Sequence, residues 1–221
     1  MNIKAVLFDL DGTLIDSSPG ITRSVLHVLD YYGISEDDMD KLKLFIGPPL
    51  HSSFEKYYNF PHEQALKSVE IFRERYNVIG YLECELYPGV EKCLKDLKER
   101  GYKLYLASSK PEVTCKKILE NKGVLEYFDC VTGSTLDGTR ETKEQVLNEL
   151  FNRCPEVGRD EMVLIGDTIF DTEGACMAGI KSIAVSFGFG DAEEMVRAGS
   201  LLICDALENL ADIVDELNQD K

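Results

Sequence analysis

Positive charge is scarce in this 221-residue chain: 24 lysines and arginines face 40 aspartates and glutamates, for a formal net charge of −16. Such a surface repels a nucleic-acid backbone and an anionic membrane alike, so neither is an expected partner. It repels a phosphorylated small molecule too, and a substrate of that kind would need local cations. Long apolar runs are missing, since none reaches the roughly 18 residues of a membrane span. The seven cysteines, at 84, 93, 115, 130, 154, 176 and 204, are scattered and odd in number, and none forms a C-x-x-C pair. That pattern fits reduced thiols rather than a zinc site or a disulfide framework. Nothing leader-like precedes Ile3, and the expected location is cytoplasmic. There is no G-x-x-x-x-G-K-[ST] stretch, and Gly188-Phe189-Gly190 does not substitute for a P-loop.

What is present begins at once. Residues 3–8 are almost all apolar, and Val6, Leu7 and Phe8 favour strand. A short run of this kind suits a strand buried on both faces of a parallel sheet. It ends in two carboxylates, Asp9 and Asp11, which point the same way in an extended chain. Gly12 permits a sharp turn after them. Like charges side by side at the end of a buried strand repel, and a divalent cation is the simplest remedy. A plain strand-ending turn is the competing reading. An EF-hand loop is excluded: counted from Asp9, its obligatory Gly and Glu positions fall on Leu14 and Gly20.

After residue 14 the pattern turns helical. Ser17, Ser18 and Pro19 open a helix that Gly33 closes. Further helices are expected over 35–45, around Phe54 and Tyr57, and from Pro61 to about 79, with no strand candidate between 16 and 84. From residue 85 on, short apolar strands alternate with helical patterns. Strands are expected at 103–107, 128–132, 161–165, 182–185 and 201–203. This alternation predicts an α/β, doubly wound parallel sheet interrupted by an inserted all-helical domain. The expected division is 1–15 with 85–221 as the core and 16–84 as the insert.

Ligands of such sheets gather at the carboxyl ends of the strands. Three strands here end in polar groups: Asp9 and Asp11, then Ser108, Ser109 and Lys110, then Gly166 and Asp167. Asp171 follows Asp167 by about one helical turn. Asp9, Asp11 and Asp167 offer the hard oxygen ligands that suit Mg2+. Asp171 is expected one step behind them, through water or another ligand. A phosphate would need Lys143 or Lys110 as well, and the hydroxyls of Ser108 and Ser109 beside a helix start.

Taken together, Asp9-x-Asp11-x-Thr13, Ser108, Lys143 and Gly166-Asp167-x-x-x-Asp171 resemble the four motifs of the haloacid dehalogenase superfamily. Gly47-Pro48-Pro49-Leu50, Gly133-Ser134, Leu136-Asp137-Gly138 and Phe187-Gly188-Phe189-Gly190 resemble its phosphoglycolate phosphatase branch, some relatives of which are described as 5′-nucleotidases. The resemblance implies a phosphatase with Mg2+ as cofactor and a helical cap over 16–84. It implies Asp9 as nucleophile, forming an aspartyl-phosphate, and Asp11 as the acid and base. The metal would take Asp9, Asp167 and the backbone carbonyl of Asp11. Ser108 and Lys143 would bind the phosphoryl group, and Thr13 would order the loop. Read from the sequence itself, Ser109 joins the phosphate site from its place at the strand end, and Gly47, Pro48 and Pro49, stiffened by the two prolines, form a substrate loop of the cap. A second carboxylate at Asp11 separates the chain from the family's dehalogenases, and Pro19 to Thr22 lack the His of its sugar phosphomutases. The implied partner is a small phosphorylated metabolite, and the implied assembly is a monomer or homodimer. A non-catalytic binding protein on the same fold is the alternative from another class, because fold does not prove activity.

Overall fold

The computed structural model describes residues 1–219. The chain runs through β1 (Ala5–Phe8), β2 (Ile15–Asp16), α1 (Ser18–Tyr31), α2 (Met39–Lys43), α3 (Leu50–Tyr58), α4 (His62–Tyr76) and β3 (Glu85–Leu86). It continues as α5 (Val90–Glu99), β4 (Lys103–Pro111), α6 (Glu112–Asn121), β5 (Cys130–Ser134), α7 (Lys143–Arg153) and β6 (Met162–Gly166). It ends with α8 (Ile169–Ala178), β7 (Lys181–Val185), α9 (Ala192–Ala198), β8 (Ile203–Cys204) and α10 (Leu210–Gln219). Two compact units result: Met1–Ile15 together with the chain from Leu86 on, and Asp16–Glu85. Among the described residues, no helix is long and apolar enough to cross a membrane.

The first unit is a six-stranded sheet in the order β5-β4-β1-β6-β7-β8, every ladder parallel. All four residues of β1 are fully buried, which is why its sequence reads as an unbroken apolar run. Side chains alternate across the sheet. Ala5 and Leu7 of β1, Tyr105 of β4 and Leu164 of β6 lie on one face, packed with Val146, Leu147 and Leu150 of α7 and Ala175 of α8. β1 sits between β4 and β6, where the strand order reverses, and this is the switch point at which such sheets open a crevice. Its last residue, Phe8, is in register with Leu106 on one side and Ile165 on the other. Asp9 and Asp167 therefore leave the sheet at nearly one level, beside Ser108 of β4.

The second unit is helical. Gly20 of α1 approaches the turn Gly80–Leu82 closely enough that a Cβ there would strike the Gly80 carbonyl, and the Gly20 amide donates to the Glu83 carbonyl at 3.0 Å. Arg75 donates to Glu83 at 2.8 and 3.0 Å and to Ser24 at 3.1 Å. Phe45, Phe54 and Phe60 pack ring on ring, with centroids 4.8 and 5.8 Å apart.

Two local expectations are corrected. The helix expected over 35–45 is only Met39–Lys43, because the Asp38 carboxylate accepts from the Asp40 and Lys41 amides and caps the chain there. The strand expected to end at Ala107 runs on to Pro111, so α6 begins at Glu112. Ser108 and Ser109 thus stand on an extended strand end, ahead of the helix start expected beside them.

Candidate active site

The turn after β1 is fixed by its backbone. The Leu14 and Ile15 amides donate to the Leu10 carbonyl at 2.9 and 3.1 Å, and the Gly12 amide donates to the Ile15 carbonyl at 2.9 Å. Leu10 and Leu14 are buried and anchor the turn between the two carboxylates. Gly12 lies at φ +83°, a left-handed conformation that glycine adopts without strain.

Asp9 and Asp11, two residues apart, have different partners. The Asp9 Oδ1 atom accepts from Lys143 Nζ at 2.7 Å. Lys143 also donates to the Ala107 carbonyl at 2.8 Å and lies 2.7 Å from Asp171 Oδ1. Its stem passes beside Gly174 of α8, where a Cβ would come within 2.6 Å of the Lys143 Cβ. Asp11, by contrast, holds Lys110: Nζ lies 2.6 Å from both of its carboxylate oxygens. Lys110, considered above as a phosphate ligand, is therefore spent on Asp11 in this structure.

Asp167 is fully buried. Thr13 Oγ1 donates to its Oδ1 at 3.3 Å, and the Phe189 amide donates to its Oδ2 at 2.9 Å. Asp171 caps α8, its Oδ2 accepting from the Thr168 amide and hydroxyl at 3.0 Å each. This gives Thr168 a plain structural use, the capping box of α8. Ser108 is buried and its hydroxyl accepts from the Lys110 amide at 3.3 Å, so its own proton remains available to donate. Ser109 faces solvent. Gly47 and Pro49 are exposed and Pro48 is half-buried, on the link between α2 and α3 in the helical unit.

One oxygen each from Asp9, Asp167 and Asp171 lie within 4.8 Å of one another. The Asp11 carboxylate is not in this group and is paired with Lys110. Asp171, expected one step removed, stands with the other two. Burial pushes Asp9 up to about 6, and Asp171 and Asp11 add to the rise, while Lys143 opposes it. Burial, then Asp171 and Asp9, hold Asp167 well above the usual carboxylate range. Burial works against the charge of Lys143, but Asp171 and Asp9 outweigh it and raise its pKa. One ammonium for three buried carboxylates leaves negative charge without a counter-charge. Hard oxygens crowded in this way fit Mg2+.

Sequence reasoning missed three groups. The Phe189 amide is a backbone donor and has no signature in the residue types. The Lys110–Asp11 pair depends on β4 running past Ser108. Arg140 donates through Nε to the Gly133 carbonyl at 2.7 Å and through its guanidinium to Glu112 at 3.2 Å, which fixes the loop ahead of Lys143. A lone Arg in a polar loop gave no sign of it.

Residues 6–185 match the family model of haloacid dehalogenase-like hydrolases. The chain belongs to that family, in its phosphoglycolate phosphatase-like branch. By family and branch it is a phosphoric monoester hydrolase. It is 40% identical over 190 residues to a 5′-nucleotidase of Pseudomonas aeruginosa, covering 86% of each chain. A phosphoglycolate phosphatase of Vibrio vulnificus is 30% identical, with 96% of each chain covered. Among solved structures, one described as a predicted phosphatase from Clostridium acetobutylicum is similar at a TM-score of 0.91 and 39% identity, covering 98% of this chain and all of that one.

Proposed function

We propose that this chain hydrolyses a small-molecule phosphate monoester through an aspartyl-phosphate on Asp9, with Mg2+ as cofactor and phosphoglycolate-like esters as the substrate class. The observation that carries this reading is Lys143 Nζ at 2.7 Å from both Asp9 and Asp171, inside the gathered carboxylates. Asp9, Asp167 and Asp171, with the Asp11 carbonyl, would hold Mg2+, which neutralises charge on the transferring phosphoryl group.

The remaining steps belong to the chain's own residues. An Asp9 oxygen attacks phosphorus as the bond to the leaving alkoxide breaks, so one displacement becomes two easier ones. Lys143 keeps Asp9 charged and aimed. The Ser108 hydroxyl donates to the phosphoryl oxygens. Asp11 gives a proton to the alkoxide, then takes one from the water that cleaves the aspartyl-phosphate. The Lys110 contact suits the second half, in which Asp11 must be an anion. The first half requires that contact to open. The 47–49 loop is assigned to substrate choice from the sequence alone, and an unchanged substrate profile in Pro48→Ala would remove that assignment.

A 5′-nucleotidase is the second reading, favoured by the Pseudomonas aeruginosa relative. The test has two arms. With Mg2+ and a generic aryl phosphate, Asp9→Asn should lose at least roughly 1000-fold in kcat, and equal rates would end the nucleophile assignment. A panel of 2-phosphoglycolate and nucleoside 5′-monophosphates then separates the two readings by kcat/KM.

A further inference from the structure

Asp167 is tightly enclosed. Three glycines touch it. A Cβ at Gly12 would overlap the Asp167 carboxylate. A Cβ at Gly188 would overlap the Asp167 Cβ and stand 2.5 Å from the Gly12 carbonyl. A Cβ at Gly190 would overlap the Asp167 carbonyl and stand 2.9 Å from the Thr168 Cα. Gly188 and Gly190 are not in the left-handed region, so conformational freedom does not account for them. Space does: neither can carry a side chain unless Asp167 or its backbone moves. Between them, the Phe189 amide donates to Asp167 Oδ2 at 2.9 Å.

We propose that the 187–190 loop following β7 is the positioning element for Asp167, with Gly188 and Gly190 seating the loop against it and the Phe189 amide fixing its carboxylate for a divalent cation. The proposal rests on the reading of Asp167 as a cation ligand. The physical reason is general. A ligand held in one orientation by its neighbours pays less ordering entropy on binding, and removal of such a neighbour weakens a metal by roughly 10- to 100-fold. The loop leaves β7, while Asp167 follows β6. These strands are adjacent and in register, Gly166 with Ala184, so the sheet itself brings loop and carboxylate together.

The test is Mg2+ titration of the full chain by isothermal calorimetry, with wild type, Asp167→Asn and Gly188→Ala compared, alongside circular dichroism. Gly188→Ala should keep its secondary structure and raise the Mg2+ dissociation constant roughly tenfold or more, with KM for an aryl phosphate at saturating Mg2+ little changed. Wild-type Mg2+ affinity in Gly188→Ala would overturn the proposal. If wild type binds no Mg2+, or Asp167→Asn binds it as well as wild type, the cation reading itself fails and the loop's role falls with it. Should Gly188→Ala not fold, the Phe189 amide resonance of 15N-labelled wild type decides. It should move as Mg2+ is added and stay still in Asp167→Asn; a stationary wild-type resonance rules the proposal out.

Discussion

Lys143 neutralises more than any other single side chain in the site. It is buried, it touches Asp9 and Asp171, and Asp167 is the third member of the same acidic group. Removing one partner of a buried ion pair leaves the other uncompensated, at a cost of about 3–5 kcal/mol. Lys143→Met should therefore lower the melting temperature at pH 7.5 by roughly 10 °C, taking about 2–4 °C per kcal/mol for a chain of this size. Because the unbalanced charge is negative, added Mg2+ should recover part of the loss. Differential scanning fluorimetry with and without Mg2+ measures both effects. A melting temperature equal to wild type would show that the Lys143 contacts do not carry this energy.

The element that delivers Lys143 is α7, whose first residue it is. Thr142 caps that helix: its hydroxyl accepts from the Gln145 amide at 3.3 Å, while the Gln145 side chain accepts from the Thr142 amide at 3.1 Å. Thr142→Val keeps the volume and removes the acceptor, which costs about 1 kcal/mol of stability. The larger effect is expected in turnover, since the frayed turn carries the lysine that donates to Asp9 at 2.7 Å. A kcat that falls severalfold with KM nearly constant is the expected result, and a loss confined to melting temperature would make the cap merely structural. Elements of this kind were legible in the sequence wherever period and punctuation agreed. The apolar run of β1, the Ser18 start of α1 and the strand of β6 all appear within a residue or two of their expected places, and the alternation of strands and helices gave the doubly wound sheet. The misses have separate physical causes. The extension of β4 past Ser108 is set by pairing with β5 and a register shift there, a tertiary effect with no local signature. The shortening of α2 is set by one Asp side chain that competes for backbone amides. At the site, residue types marked the carboxylates and Lys143, whereas the Lys110–Asp11 pair and the Phe189 amide depend on where strand ends fall.

For the molecule as a whole, the acidic cluster couples folding to protons and to cations. Asp9 is raised to about 6 and Asp167 well above its ordinary value, in both cases chiefly by burial. A carboxyl whose pKa is higher folded than unfolded binds protons preferentially in the folded state. Its contribution to stability is complete below the unfolded value, near 3.9, and is lost as the pH rises through the folded value. Metal-free protein should therefore become more stable as the pH is lowered from 7.5 to 5.5, against the usual direction for salt-bridged carboxylates. The net charge of −16 pushes the same way, since protonation anywhere relieves repulsion, so the slope alone does not identify the site. Asp9→Asn separates the two contributions. It removes one of the coupled carboxyls while changing the formal charge by a single unit, and it should flatten the slope between pH 7.5 and 5.5. Mg2+ should flatten the wild-type slope as well, because a cation held by ionised carboxylates replaces the protons they would otherwise bind. Melting temperatures across this pH range, in chelator and in excess Mg2+, test the coupling. If the chelator and Mg2+ curves of the wild type run parallel, cation and proton do not compete for the same carboxylates, and the gathering of Asp9, Asp167 and Asp171 is not where the cation binds.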